Sequence, residues 1–375
     1  MSEGAAGDPS SLVVWGGLGL GFVMGAVANR TNFCTMGAVS DVVNMGHWGR
    51  MRMWLLAIAV AIVGTTALHG TGLVDLSKTI YQRPTLNWLS LLVGGLVFGV
   101  GMSLAGGCAN KNLVRVGGGS VRSLVVLTFL GISAYMTLKG LFGQWRASFL
   151  DPVSIDLASL GLKDQSLASL VAKASGWAAS TALQVTAWAL ALALLVFVFK
   201  DKRFRANTVQ WVGGIVIGAI VVAAWYLTGH LGFGENPETL EMTYFATNTR
   251  TLESMSFVAP SAFLLELLML WTDKSLHISF GIATAIGVVL GSLAWALVSK
   301  TFRWEGFASV ADLRTQLFGA VLMGFGGVTA LGCTVGQGLS GVSTLAIGSF
   351  IALAGILIGG AATMKYITWR AEREA

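Results

Sequence analysis

Apolar runs of roughly 18 to 24 residues recur along this chain from Leu12 to Met364, and that recurrence admits few folds. About twenty residues is the length an α-helix needs to cross a bilayer core. In hydrocarbon only helices and closed barrels satisfy their own backbone groups. The composition agrees, with 54% hydrophobic residues, 11% charged residues and 5 prolines in 375 residues. We therefore read residues 1–375 as a single integral membrane domain, an all-α polytopic protein with about nine transmembrane helices plus re-entrant or half helices. No stretch is left over for a soluble catalytic domain.

The expected crossings are 12–28, 54–72, 86–104, 123–141, 177–199, 209–227, 278–298, 317–331 and 345–364. The run 257–271 is too short to span comfortably and contains Pro260, so a half helix is expected there. Segment 143–175 reads as an external surface stretch with one amphipathic helix. Basic residues sort the two sides. Arg50 and Arg52, then Lys111, Arg115 and Arg122, then Lys200 to Arg205, then Lys300 and Arg303, then Lys365, Arg370 and Arg373 all fall at the same side, which the positive-inside rule makes cytoplasmic. The acidic loop with Glu235, Glu238, Glu241 and Glu253 fits the outside. A bacterial inner (plasma) membrane protein with its N-terminus outside and its C-terminus in the cytoplasm is expected. The formal net charge of +6 reports mainly this topology, and no basic stripe with interleaved aromatics points to nucleic acid. Met1 to Ser10 is acidic and lacks the basic start of a cleavable signal, so the first run is expected to remain as a helix.

The chain repeats itself. Gly94, Gly99, Gly101, Ala105, Gly107 and Cys108 fall, at a constant offset, on Gly319, Gly324, Gly326, Ala330, Gly332 and Cys333. The first copy is approached from outside and the second from inside, so the repeats are inverted. We divide the chain into a first repeat at 11–141, a surface segment and connecting helix at 142–205, and a second, inverted repeat at 206–364. Inverted repeats with broken helices are a common way to build a central transport site.

A helix that breaks inside a membrane exposes amide groups at the start of the next helical piece, where partial positive charge favours an anion. Gly107, Ala109 and Asn110 in one elbow, and Gly332, Thr334 and Gly336 in the other, are candidates for such a backbone site. The competing reading is that the glycines serve helix packing alone. Each elbow also delivers a thiol, a weak donor and a soft, polarizable neighbour suited to sulfur. Cys34, after the polar break Asn29 to Phe33, supplies a third. No C-x-x-C occurs, so a disulfide framework is not expected. Arg30, Asn32 and Lys111 are candidates to guide an anion, with membrane anchoring as the alternative for Arg30 and Lys111. His47, His69, His230 and His277 show no ligand spacing, and neither a metal site nor a cofactor is expected. Glu266 is an intramembrane carboxylate and a functional candidate unless its segment lies at the surface.

The pattern Arg30-Thr31-Asn32-Phe33-Cys34-Thr35-Met36-Gly37-Ala38 with Asp41, then Gly107-Cys108, then Gly332-Cys333-Thr334-Val335-Gly336, resembles the YeeE/YedE family of sulfur-compound transporters. The resemblance implies an hourglass-like helical fold, re-entrant loops meeting at the middle, and Cys34, Cys108 and Cys333 as pathway thiols, with Cys108 nearer the outside and Cys333 in the opposing loop. It implies membrane uptake of a small sulfur-containing anion, thiosulfate first, and a small cytoplasmic TusA-like sulfurtransferase as partner. Lys111 departs from the pattern, standing where the second elbow has Gly336, and another sulfur or selenium species is the alternative cargo. A membrane thiol oxidoreductase and a scaffold with packing cysteines are the rival classes; the first needs paired thiols.

Overall fold

The computed structural model describes residues 9–236 and 240–374. Met1 to Asp8, Glu238 of the acidic loop, and Ala375 lie outside the described residues. The described chain is helical almost throughout. Helices α1 (Pro9–Thr31), α2 (Thr35–Met45) and α3 (Gly49–Gly70) are followed by α4 (Trp88–Leu104), α5 (Ala109–Gly117) and α6 (Val121–Lys139). A connecting region holds α7 (Leu141–Trp145), α8 (Leu167–Ser175), α9 (Ala179–Phe199) and α10 (Lys202–Ala206). Then come α11 (Thr208–Tyr226), α12 (Val258–Met269), α13 (Phe280–Val298), α14 (Val310–Thr329) and α15 (Ile347–Glu374). Two short antiparallel pairs complete it: β1 (Thr85–Leu86) with β2 (Ile155–Asp156), and β3 (Phe233–Glu235) with β4 (Met242–Tyr244).

Eight helical segments among the described residues are long and apolar enough to cross a membrane, which makes this a multi-pass membrane protein. The expected run at 317–331 is the apolar part of α14, whose first turns carry Asp312 and Arg314. The half helix expected at 257–271 is α12, 12 residues long. Helix α9 faces outward on most of its surface, with Trp188, Leu192 and Val196 forming an exposed stripe one turn apart, as a lipid-facing helix requires.

The repeat glycines interlock. A methyl group on Gly326 would lie 2.5 Å from the Phe98 nitrogen and 2.6 Å from the Gly94 oxygen, and one on Gly94 would lie 2.5 Å from the Ala330 nitrogen. Gly101 and Gly319 meet likewise, each with the other's carbonyl oxygen 2.7 Å from where its own methyl would be. Because the repeat offset carries Gly94 to Gly319 and Gly101 to Gly326, this antiparallel crossing of α4 on α14 is reciprocal, like a two-fold interface within one chain. The remaining partners follow the same exchange. Helix α4 packs on α15 as α14 packs on α6, and α3 packs on α11 as α13 packs on α1. Helix α2 lies against α15 as α12 lies against α6. Close backbone approach through small residues is the usual device for holding helices together where lipid removes the hydrophobic drive.

Residues 143–175 are mostly exposed and carry a short amphipathic helix, α8, and the chain before it also reaches the membrane helices. Gln165 is buried, its carbonyl accepting from the Ile347 amide at 2.9 Å and its side-chain oxygen from the Gly348 amide at 3.2 Å, while the Leu167 amide donates to the Leu345 carbonyl at 2.9 Å. The segment thus supplies acceptors to the first amides of α15, which α15 cannot satisfy internally.

Candidate functional site

Three helix breaks deliver the three cysteines, and all three are built alike. In each, a residue with left-handed backbone stands two positions before the cysteine: Asn32 (φ 52°), Gly106 (φ 69°) and Leu331 (φ 57°). The next residue donates its amide back across the helix end, Phe33 to the Ala28 carbonyl at 3.1 Å, Gly107 to Met102 at 2.9 Å, and Gly332 to Gly327 at 2.8 Å. This six-residue closure is a Schellman C-cap. The cysteine then leads into the following helical piece, with extended backbone at Cys34 and Cys108. The Cys34 Sγ accepts from the Gly37 amide at 3.4 Å and the Cys333 Sγ from the Gly336 amide at 3.4 Å, whereas Cys108 stands as the N-cap of α5 without a side-chain capping bond. Only Gly106 adopts this conformation without strain; for Asn32 and Leu331 it costs about 1–2 kcal/mol each.

The sequence singled out two elbows because it looked for glycine before cysteine. At Cys34 those places hold Asn32 and Phe33, so the third copy of the motif has no glycine signature. A polar residue tolerant of the left-handed region, two positions before Cys, is the signal that was there to find.

The elbows converge. All three thiols are buried and free. Cys34 and Cys108 are close neighbours, and Thr334 of the opposite half also lies close to Cys108. Asn32 accepts from the Lys111 ammonium at 3.3 Å, which ties the first elbow to the second. Arg115 donates to the Gly106 carbonyl at 2.8 Å, and the Asn112 amide donates to the carbonyls of Gly107 and Cys108 at 3.0 and 3.2 Å, so the second elbow is braced by its own helix. Cys333 lies on the far side, with the buried Tyr81 hydroxyl as a charge-sensitive neighbour. Linear spacing excluded a C-x-x-C pair, yet the fold makes a pair of Cys34 and Cys108 from residues 74 positions apart.

Buried polar atoms without partners occur beside Cys108 and Cys333 in the chain and at the wall of the Arg83 cavity. Among the buried side-chain atoms lacking a hydrogen bond are Asn110 Oδ1, Thr329 Oγ1, Thr334 Oγ1 and Gln337 Oε1. Thr334 faces Cys108 without meeting hydrogen-bond geometry. Each such group costs about 1–3 kcal/mol when buried, and several of them mark a place built for something polar. Gly336 is needed for closeness, since a methyl there would lie 2.8 Å from the Ser256 hydroxyl, and Gly332 sits against the Gln337 backbone.

A vestibule opens on each side of the constriction. One, about 170 Å³, is lined by Asn29, Lys111, Arg115, Arg303 and Glu305. The other comprises two adjoining cavities of about 210 and 240 Å³ that share Ile80, Arg83, Arg146 and Leu331, with Gly332 on the floor of the first. Arg30 belongs to neither lining; it is exposed, with its guanidinium 5.2 Å from the centre of the Trp295 ring. Glu266 is buried on α12 and accepts from Tyr135 and Lys139 of α6, both at 2.8 Å, so it straps the half helix to α6 and stands apart from the thiols. The sequence did not identify Asn112, Arg83 or Arg146 as site residues, and no linear pattern joins them.

Comparison with known proteins adds the remaining observation. The model of the family described as Sulphur transport matches residues 30–362, nearly the whole chain. The thiosulfate transporter TsuA of Escherichia coli (strain K12) is 26% identical over 379 residues, covering 97% of this chain and 97% of that protein. The thiosulfate transporter TsuA of Spirochaeta thermophila is 27% identical over 372 residues, covering 96% of this chain and 100% of that protein.

Proposed function

Since the chain belongs to the Sulphur transport (YeeE/YedE) family, we propose that it carries thiosulfate across the membrane through the point where its three cysteine elbows meet. The observation that carries this reading is the convergence of three like-built, buried thiols with unpartnered polar atoms beside two of them. The thiol sulfurs hold the first amides of the short helices only weakly, at 3.4 Å, so an anion can take those amides over. A soft thiol beside a sulfane sulfur, with backbone amides toward the oxygens, suits thiosulfate better than sulfate.

In this reading the anion meets Cys333 with Gly332, Thr334 and Gly336, then Cys108 with Gly107, Ala109 and Asn110, then Cys34. This is the reverse of the expected order with Cys108 nearer the outside, because Gly332 lines the Arg83 cavity and Lys111 the other. It leaves past Lys111 and Arg115, with Asn32 holding Lys111 in place. Arg30 acts as a membrane-surface anchor. Weak contacts at several stations favour release over tight capture. The Arg83 vestibule faces the outside and the Lys111 vestibule the cytoplasm of an inner-membrane protein, as the basic connections require. The halves 11–141 and 206–364, joined through 142–205, are inverted copies. A small TusA-like sulfurtransferase receives the cargo at the basic inner face.

Purified protein in sealed vesicles tests this with labelled thiosulfate. Accumulation that unlabelled thiosulfate suppresses and sulfate does not is the expected result. No accumulation above empty vesicles, or equal competition by sulfate, sulfite or selenite, refutes the assignment.

A further inference from the structure

The outer vestibule contains a group that opposes its apparent purpose. A passage for an anion is served by Arg83, which makes no ion pair among the described residues, and by Arg146, whose charge is shared with Asp151 at 3.2 Å. Glu253 lines the same cavity. Its carboxylate pairs with neither arginine. One oxygen accepts from the Thr249 amide at 2.8 Å and the Thr249 hydroxyl at 2.7 Å, and the Asn248 amide is a further backbone donor beside the carboxylate. The backbone around it is pinned. Thr228 donates to the Glu253 carbonyl at 2.6 Å, Ser254 donates to the Val221 carbonyl at 3.1 Å, and Leu252 bridges to Thr79. The acid is therefore held at the vestibule wall, just before the Leu331 and Gly332 elbow.

We propose that Glu253 is a proton-operated selector of the outer vestibule: ionised, it repels the arriving dianion, and protonated, it admits it, so uptake rises as the pH on that side falls. This rests on the transport reading given above. Burial raises the proton affinity of Glu253 above that of an ordinary carboxyl group, and the Thr249 bonds oppose that rise less strongly. The titratable and charged groups around it are Tyr81, whose hydroxyl feels both Glu253 and Cys333, the two arginines, Asp151 behind Arg146, and Arg250, exposed on the same loop. No histidine lines this cavity among the described residues. Thiosulfate itself stays a dianion over the neutral and mildly acidic range, so a pH profile there belongs to the protein.

The test is uptake of labelled thiosulfate into vesicles of fixed internal pH, with the outer pH varied between about 5.5 and about 8. A repulsion of this kind inside a cavity is worth about one order of magnitude in rate. Wild-type uptake is expected to rise about tenfold from the alkaline to the acid limit, and Glu253→Gln to be fast and flat throughout. Thr249→Ala removes the hydroxyl donor that favours the ionised form and keeps the amide, so its profile moves toward alkaline pH, and this arm serves even if Glu253→Gln folds poorly. Uptake that is present but flat in the wild type, or slower in Glu253→Gln than in the wild type at acid pH, overturns the selector alone. Absence of wild-type uptake at every pH overturns the transport reading and the selector with it.

Discussion

Replacing Gly326 by alanine probes the seam on which the two halves depend. The new methyl group would lie 2.5 Å from the Phe98 nitrogen and 2.6 Å from the Gly94 oxygen, about 0.9 Å short of an ordinary 3.4 Å contact. Both neighbours are backbone, so no side chain can swing aside and α4 must move bodily from α14. Overpacking of this kind costs about 1–3 kcal/mol. Alanine returns about 0.5–1 kcal/mol by stiffening a helix interior, leaving a net loss of about 1–2 kcal/mol. The paired control is Gly19→Ala, where nothing lies within 4 Å and only the gain remains. Thermal unfolding in mild detergent, followed by tryptophan fluorescence at one scan rate, reads the difference. We expect Gly326→Ala to melt about 1–3 °C below the wild type and Gly19→Ala at or slightly above it. Because separating the helices relieves both clashes at once, Gly94→Ala combined with Gly326→Ala should cost less than the sum of the two. A Gly326→Ala protein as stable as Gly19→Ala would refute the interlocked crossing.

Three further outcomes follow from particular contacts. Mild oxidation should join Cys34 to Cys108 and leave Cys333 free, read as a mass change of one cysteine-containing peptide pair, and should stop thiosulfate uptake until a thiol reductant is added. Leu331→Gly should stabilise the fold by about 1 kcal/mol, because the left-handed backbone at φ 57° strains leucine and suits glycine, and an unchanged or lower melting temperature would show that strain is absent. Lys139→Met should destabilise by about 1–2 kcal/mol, since it strips the buried Glu266 of its cation, while the double variant with Glu266→Gln should recover most of that loss; the value is set below the range for fully buried pairs because Lys139 is more than half exposed.

The sequence went furthest where the physics is one-dimensional. Helix runs follow from hydropathy and length, and the breaks at Cys108 and Cys333 stand out because glycine both permits close packing and ends a helix. The half helix at Val258–Met269 was legible from its length and Pro260. What depends on three dimensions did not show. Cys34 carries the same elbow without glycine, so a glycine search passes over it. Its contact with Cys108 exists only because α1 and α5 are brought side by side. The Arg83, Arg146 and Glu253 vestibule draws on three connections whose residues share no spacing. Gln165 reads as part of a polar surface stretch, and only the fold shows it supplying acceptors to α15. Glu266 was recognised as out of place, and the structure supplies the reason in Tyr135 and Lys139.

The measurement that bears most directly on the account is thiosulfate uptake by vesicles containing Cys108→Ala, with circular dichroism to confirm that the helices are intact. Cys108 lies close to Cys34 on one side and to Thr334 of the opposite half on the other, so its loss breaks the relay at its middle. The account predicts a fall of at least about tenfold, equivalent to about 1.4 kcal/mol at the limiting step. Uptake within about twofold of the wild type, which corresponds to less than about 0.5 kcal/mol, would contradict a pathway running through the cysteine elbows.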